Sequence, residues 1–242
     1  MIYLTGFHAI EEALKSGTGI AVLSAKPGPR AGGLVKLAAA RRIRVDRVGS
    51  AELDRLAPGN RGVALAVNEG PSAAPEYAST KEFAASLGEK QNALVLLLDE
   101  VTDPHNYGAI LRSCDQFGVD LVVSRKRRSA AHAAVIMQTS SGAAAWVPHL
   151  EEPNLVRAVE ALKESGFWIY GADARGEAVY RVDLAGRIAL ILGGEAGLSR
   201  LLRETCDGLV AAPTSGRIDS LNVSVAAGIL LYEATRQRGS SR

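Results

Sequence analysis

Residues 93–98, ALVLLL, form an unbroken apolar run that ends on Asp99 and Glu100. A strand with one face in water alternates polar and apolar side chains, so a continuous run of this kind belongs to a strand covered on both sides. The remainder of the chain keeps to that pattern. Helices are predicted over 108–117, 131–139, 155–164, 199–205 and 221–238, and strands over 121–123, 168–170, 188–192 and 209–211. Alternation of this kind gives a parallel sheet with helices on both faces, and ligands are expected at the carboxyl ends of its strands.

The first part of the chain alternates on a smaller scale. Helical patterns at 8–15, 34–41 and 51–56 are interleaved with short strands at 20–23, 44–48 and 63–67, a small α/β sandwich of about 70 residues. Between the two parts, EGPSAAPEYASTKEFAASLGEKQN is rich in Ala, Ser, Pro and charge without a sustained apolar period. It reads as a linker with one short helix over 80–87. The division is therefore a lobe over 1–70, a linker over 71–91 and a larger domain over 92–242.

Composition narrows the class. A hydrophobic share of 47% supplies a core and a charged share of 22% argues against disorder. The two cysteines, Cys114 and Cys206, have no metal-ligand spacing, so neither a disulfide framework nor a metal site is expected. No leader-like start or membrane-length apolar stretch is present, and a cytoplasmic protein is expected. The net charge is +2, yet residues 1–70 carry 10 Lys and Arg against 6 Asp and Glu. A basic small lobe suits RNA docking and equally suits an ordinary surface. Neither a dinucleotide-binding glycine fingerprint nor a P-loop occurs.

Three strand-to-helix turns carry chemistry-bearing residues. In LDEVTDPHNYGAILRSCDQFGVD, residues 98–120, a turn with Pro104 and Gly108 leads into a helix carrying Asn106 and Arg112. Taken alone, Asn106 could cap that helix and Arg112 could pair with Asp115. In ILGGEAGLSRLLRETCD, residues 191–207, Gly193 and Gly194 at a strand end allow close approach to backbone groups, and Glu195 follows. In PTSGRIDSLNVSVAAGILLYE, residues 213–233, a Pro213 turn precedes Ser220, Leu221, Asn222 and Ser224 at the start of an apolar helix, where unpaired N–H groups gather.

Taken together, D-P-x-N-x-G-x-x-x-R, the Gly-Gly-Glu turn and P-x-x-G-x-x-x-S-L-N-V-S-x-A resemble the three signatures of the SpoU (TrmH) family of RNA ribose 2′-O-methyltransferases, within the SPOUT superfamily. The resemblance covers roughly the last 150 residues. GFHAIEEALKSG and NRGVALAV are similar to the substrate-binding domain that precedes it in many members. Two departures stand out: the loop at Ala196 is one residue shorter than in many relatives, and Thr214 stands where a Met is common.

The resemblance implies an α/β fold, a parallel-sheet methyltransferase domain with a trefoil knot, preceded by a small L30e-like α/β domain. It implies S-adenosyl-L-methionine as cofactor, RNA as partner and a homodimer. It assigns catalytic or substrate-handling roles to Asn106, Arg112, Glu195, Ser220 and Asn222, and cofactor contacts to Gly193, Gly194, Ala212, Pro213 and Leu221. In layout the chain is similar to members that methylate a guanosine of 23S ribosomal RNA. Transfer RNA enzymes and antibiotic-resistance methylases share the catalytic domain. A non-catalytic RNA-binding protein is the alternative from another class.

Remaining candidates are read as scaffold. The run Arg125, Lys126, Arg127, Arg128 beside Ser129 is a loop with a phosphate contact as its alternative. His8, His105, His132 and His149 lack ligand spacing, and Trp146 and Trp168 are expected to fill the core.

Overall fold

The computed structural model describes residues 2–67, 76–125, 130–218 and 220–239. The small lobe runs β1 (Ile2–Leu4), α1 (Phe7–Ser16), β2 (Gly19–Ser24), α2 (Pro29–Ala40), β3 (Arg44–Arg47), α3 (Ser50–Leu56) and β4 (Val63–Val67). Its sheet has the order β1-β4-β2-β3, antiparallel except for the parallel pair β2 and β3. β1 was not anticipated, because three residues at the chain start are too few to show a period.

The larger lobe runs α4 (Thr80–Ser86), β5 (Ala93–Asp99), α5 (Pro104–Gln116), β6 (Leu121–Ser124), α6 (Ala130–Thr139), β7 (His149–Glu151) and α7 (Leu155–Glu164). It continues with β8 (Trp168–Ala178), β9 (Arg187–Gly193), α8 (Arg200–Thr205), β10 (Gly208–Ala211) and α9 (Val223–Gly239). The six strands lie in the order β10-β8-β9-β5-β6-β7, and every neighbouring pair is parallel.

The apolar run that opens this lobe is divided between two cores. Leu94, Leu96 and Leu98 face a cluster with Tyr107, Ile110 and Leu111 of α5 and Leu230, Leu231 and Ala234 of α9. Val95 and Leu97 face the opposite cluster with Phe83 of α4, Val159 and Leu162 of α7 and Leu202 of α8. Leu96 is fully buried, and truncating such a side chain to Ala costs about 2–5 kcal/mol.

α4 lies within the stretch read as a linker but packs on the large lobe. Ser79 caps it by accepting from Glu82 N at 3.2 Å, and Glu152 accepts from Thr80 N at 2.9 Å. The lobes also touch: Met137 and Trp146 pack against the core of the small lobe.

Trp168 departs from the expectation of a core residue. It is 60% exposed at the amino end of β8, near the edge of the sheet. Trp146 is partly buried and donates its indole N–H to Asp115 at 2.6 Å.

α9 is held at its far end by the segment that joins β8 to β9. Gln237 accepts from Leu184 N at 2.8 Å and donates to Val182 O at 3.1 Å. Arg238 donates to Ala93 O at 2.7 Å and Gly186 O at 2.9 Å, tying the helix to the first residue of β5.

Candidate active site at the carboxyl ends of the central strands

β5 and β9 are in register from Ala93↔Arg187 to Asp99↔Gly193, so both motifs leave the sheet at one level. The chain after β5 turns through Glu100 at φ 58, a left-handed conformation uncommon for a residue with a side chain. The chain after β9 turns back on itself, with Gly194 N–H donating to Asp99 O at 2.8 Å and Gly197 N–H to Gly194 O at 2.9 Å. A Cβ on Gly193 would overlap the Gly197 carbonyl, and one on Gly194 would overlap the Glu100 carbonyl. This turn therefore presents backbone, not side chain, to its surroundings.

Asp99 fixes the turn a second time. Its carboxylate is 1% exposed and accepts from Ser199 N at 2.9 Å, just before α8. Arg125 Nη2 lies 3.5 Å from Asp99 Oδ1, and Arg125 Nη1 lies 3.6 Å from Glu100 Oε1. Lys126, Arg127, Arg128 and Ser129 lie outside the described residues.

α5 begins one turn earlier than the sequence suggested. Asp103 is its cap, accepting from Asn106 N at 2.9 Å and His105 N at 3.3 Å, with Pro104 at the first helical position. Asn106 is thus no cap, and its side chain is released for another partner. Asn106 Oδ1 accepts from Asn222 Nδ2 at 3.0 Å. Asn222 Oδ1 in turn accepts from Ser224 N at 2.9 Å and Ser224 Oγ at 2.6 Å, as a residue preceding a helix does.

These turns enclose a cleft of about 230 Å³ lined by Glu100, Val101, Thr102, Asp103, Asn106, Gly194, Glu195, Ala196, Gly197 and Val223. Of the residues singled out from sequence, Asn106, Gly194 and Glu195 line it. Gly193 lies beneath the same turn, and Asn222 is bonded to its wall through Asn106.

The others are not in the lining. Arg112 is exposed just over two turns along α5 and makes no hydrogen bond or ion pair among the described residues. Its alternative partner, Asp115, is engaged by Trp146 and Gln116. Ala212 is half-buried and Pro213 exposed, directly after β10 and hence at the same end of the parallel sheet. Ser220 is exposed and Leu221 is 37% exposed ahead of α9.

Sequence reasoning missed Glu100, Thr102 and Asp103 as lining residues. The Asp-Pro pair, a common helix opening, was the available signal for Asp103; nothing in the sequence marked the turn at Glu100.

Comparison with known proteins bears on the family of the chain. The description "SpoU rRNA Methylase family" matches residues 93–232, and "RNA 2'-O ribose methyltransferase substrate binding" matches residues 3–72. A Borreliella burgdorferi protein named as an uncharacterized tRNA/rRNA methyltransferase is 38% identical over 88% of this chain and 96% of its own. A 23S rRNA (guanosine-2'-O-)-methyltransferase RlmB of Xanthomonas axonopodis pv. citri is 53% identical over 60% of this chain and 59% of its own. The crystal structure of the SpoU methyltransferase AviRb from Streptomyces viridochromogenes, in complex with the cofactor AdoMet, matches with a TM-score of 0.72 and 26% identity over 99% of this chain and 91% of that one. By two family descriptions that together span both lobes, and by a relative aligned along nearly its whole length, this chain belongs to the SpoU rRNA methylase family.

Proposed function

We propose that this SpoU methylase transfers a methyl group from S-adenosyl-L-methionine to a ribose 2′-hydroxyl of RNA, on a guanosine of 23S ribosomal RNA. The observation that carries the reading is the Asn222–Asn106 hydrogen bond, which joins the first and third signatures beside the glycine turn of the second. The residue type and the cleft fit the cofactor. Gly193 and Gly194 offer a wall of backbone where any side chain would collide with neighbouring carbonyls. In this reading they share cofactor binding with Ala212, Pro213 and Leu221.

When bound, the sulfonium supplies an already activated methyl group, which leaves the protein with positioning and electrostatics. Arg112 faces solvent without a partner among the described residues, as a group reserved for a substrate phosphate or hydroxyl would. A guanidinium stays protonated, so its role is to polarise the ribose hydroxyl and hold the phosphate, while the hydroxyl proton leaves through an RNA phosphate oxygen to solvent. Asn222 and Ser220 orient the ribose, Asn106 fixes Asn222, and Glu195 supports the turn.

The guanosine assignment is supported by the RlmB relative. The dimer and the knot expected of the family are part of the same proposal. Val225, Ile229 and Tyr232, at helical spacing on α9, are 50%, 37% and 56% exposed and suit a face covered by a second copy.

The test is transfer of labelled methyl to 23S ribosomal RNA fragments and to transfer RNA, followed by nuclease digestion and mass spectrometry. 2′-O-methylguanosine in the ribosomal fragment is expected. A base-methylated product, or transfer to the transfer RNA alone, would reject the corresponding part of the reading.

A further inference from the structure

Two guanidiniums close on the ring of Phe7 at the start of α1. Arg30 Cζ lies 5.3 Å and Arg61 Cζ 5.6 Å from its centroid. They come from separate elements, Arg30 from the first turn of α2 and Arg61 from the turn between α3 and β4. Arg30 Nη2 is also 3.2 Å from His8 Nε2.

Neither Arg30 nor Arg61 forms an ion pair among the described residues. Other cations of the lobe do: Lys15 pairs with Glu11 and Glu12, and Arg44 with Asp46. Arg30 and Arg61 are thus two of several cations of this lobe without an ion pair among the described residues, and they meet at one aromatic ring. Cation–π attraction at so open a site is weak, and two like charges at one ring oppose each other. An anion placed between them removes that opposition.

The place of the cluster on the molecule matters as much as its charge. Gly59, two residues before Arg61, sits against Gln138 at the end of α6, where an added Cβ would come within 2.8 Å of the amide nitrogen. The next residue, Thr139, has its hydroxyl 3.5 Å from Pro104 O. Pro104 stands two residues from Asn106 in the cleft wall. A short chain of direct contacts therefore leads from the cationic ring to the candidate active site.

We propose that Arg30 and Arg61, presented on Phe7, form a clamp for a phosphate of the substrate RNA, with an unpaired base stacking on the guanidinium planes. Cations interleaved with an aromatic ring match nucleic acid, which offers both phosphates and π-faces, whereas an acidic peptide offers only the charge. The clamp engages RNA flanking the modified nucleotide and aligns it with the cleft. This inference rests on the RNA methyltransferase reading above.

The experiment uses the full chain, a 23S ribosomal RNA fragment and S-adenosyl-L-methionine. The Arg30→Ala/Arg61→Ala variant is expected to raise the KM for RNA at least tenfold. The KM for S-adenosyl-L-methionine should stay within twofold and kcat at saturating RNA within threefold. In filter binding, the slope of log affinity against log salt should shrink by roughly 0.7–0.9 for each phosphate no longer neutralised. Arg30→Lys/Arg61→Lys, which keeps the charge but loses the stacking planes, should restore the salt slope and only part of the affinity.

Arg44→Ala/Arg47→Ala is the charge-matched control and should stay within twofold of the parent. Melting curves check that each variant folds; should the alanine pair unfold, Arg61→Gln, whose stem still covers the ring, must show the same direction. An unchanged RNA KM and salt slope would overturn the clamp and favour a protein ligand for the cluster. Equal losses in the control pair would overturn it too, as an effect of bulk charge. If the parent protein binds RNA but methylates none, the function reading falls, while filter binding still decides the clamp.

Discussion

Asn222 donates its side-chain amide to Asn106 across 116 residues of chain, at 3.0 Å. This bond joins the start of α9 to the start of α5 at the rim of the cleft, and Asn222 also caps the first turn of α9 while Asp103 caps that of α5.

Because the two side chains act on each other, their removal should not be additive. Asn222→Ala is expected to lower stability by about 0.5–2 kcal/mol, the usual loss for a residue capping a helix start. In a double-mutant cycle with Asn106→Ala, a coupling of about 0.5–3 kcal/mol is expected in transition-state stabilisation, from kcat/KM at each corner. Strict additivity would mean the bond does not contribute to the working site.

Arg112→Ala should abolish methyl transfer while cofactor affinity stays within a few-fold, because the residue is exposed, has no partner among the described residues and lies outside the cleft lining. Arg112→Lys should recover little, since an ammonium cannot reproduce a planar fork of donors. Calorimetric titration with S-adenosyl-L-methionine and single-turnover methyl transfer measure the two quantities separately. Normal turnover by the alanine variant would make Arg112 an ordinary surface residue.

Gly193→Ala places a methyl group where the Gly197 carbonyl and Leu198 N already sit. Overpacking of this kind costs about 1–3 kcal/mol, and here the strain falls on the turn assigned to the cofactor. The expected outcome is a folded protein with a lower melting temperature and cofactor affinity reduced at least tenfold. Unaltered affinity would move the cofactor site elsewhere.

Glu233 gives stability a specific acid limb. Hydrogen bonds from Arg236 at 2.7 and 2.8 Å, and then from Gln237 at 2.9 Å, hold its carboxyl down to about 2 from an ordinary 4.5. A carboxyl lowered in the folded state adds stability that is complete above the unfolded value and is lost as pH falls toward the folded one. Glu233→Gln should therefore melt below the parent at pH 6, with the gap narrowing between about pH 4.5 and about pH 2. Thermal unfolding across that range checks it, and a gap independent of pH would contradict the assignment.

The exposed α9 face predicts a self-association phenotype. Val225→Asp/Ile229→Asp should convert a dimer into a monomer in light scattering after gel filtration, with secondary structure retained. A parent protein that is itself monomeric would remove the dimer from the proposal.

The sheet was legible because burial on both faces leaves a mark in sequence. Leu94 to Leu98 alternate between two cores, so each of them had to be apolar. Asn106 and Asn222 were legible as residues, but their mutual bond was not, since no local pattern connects positions more than a hundred residues apart. The Asp103 cap was hidden by reading the helix as starting at Gly108, a boundary that periodicity fixes poorly. Trp168 was misplaced because a bulky aromatic at the open end of a strand looks, in sequence, like one in its middle. The turn at Glu100 had no signature at all: its positive φ arises where two strand ends meet.

Arg238 grips Ala93 O from 145 residues away, and that separation predicts an order of events in folding. Closing so long a loop carries an entropic cost that only the finished sheet and α9 can repay, and non-local contacts of this sort slow folding. The helix that begins just after Asn222 is the same one that must be anchored at its other end by this contact. The site should thus be among the last parts of the molecule to mature: in refolding, cofactor binding is expected to lag behind the recovery of secondary structure.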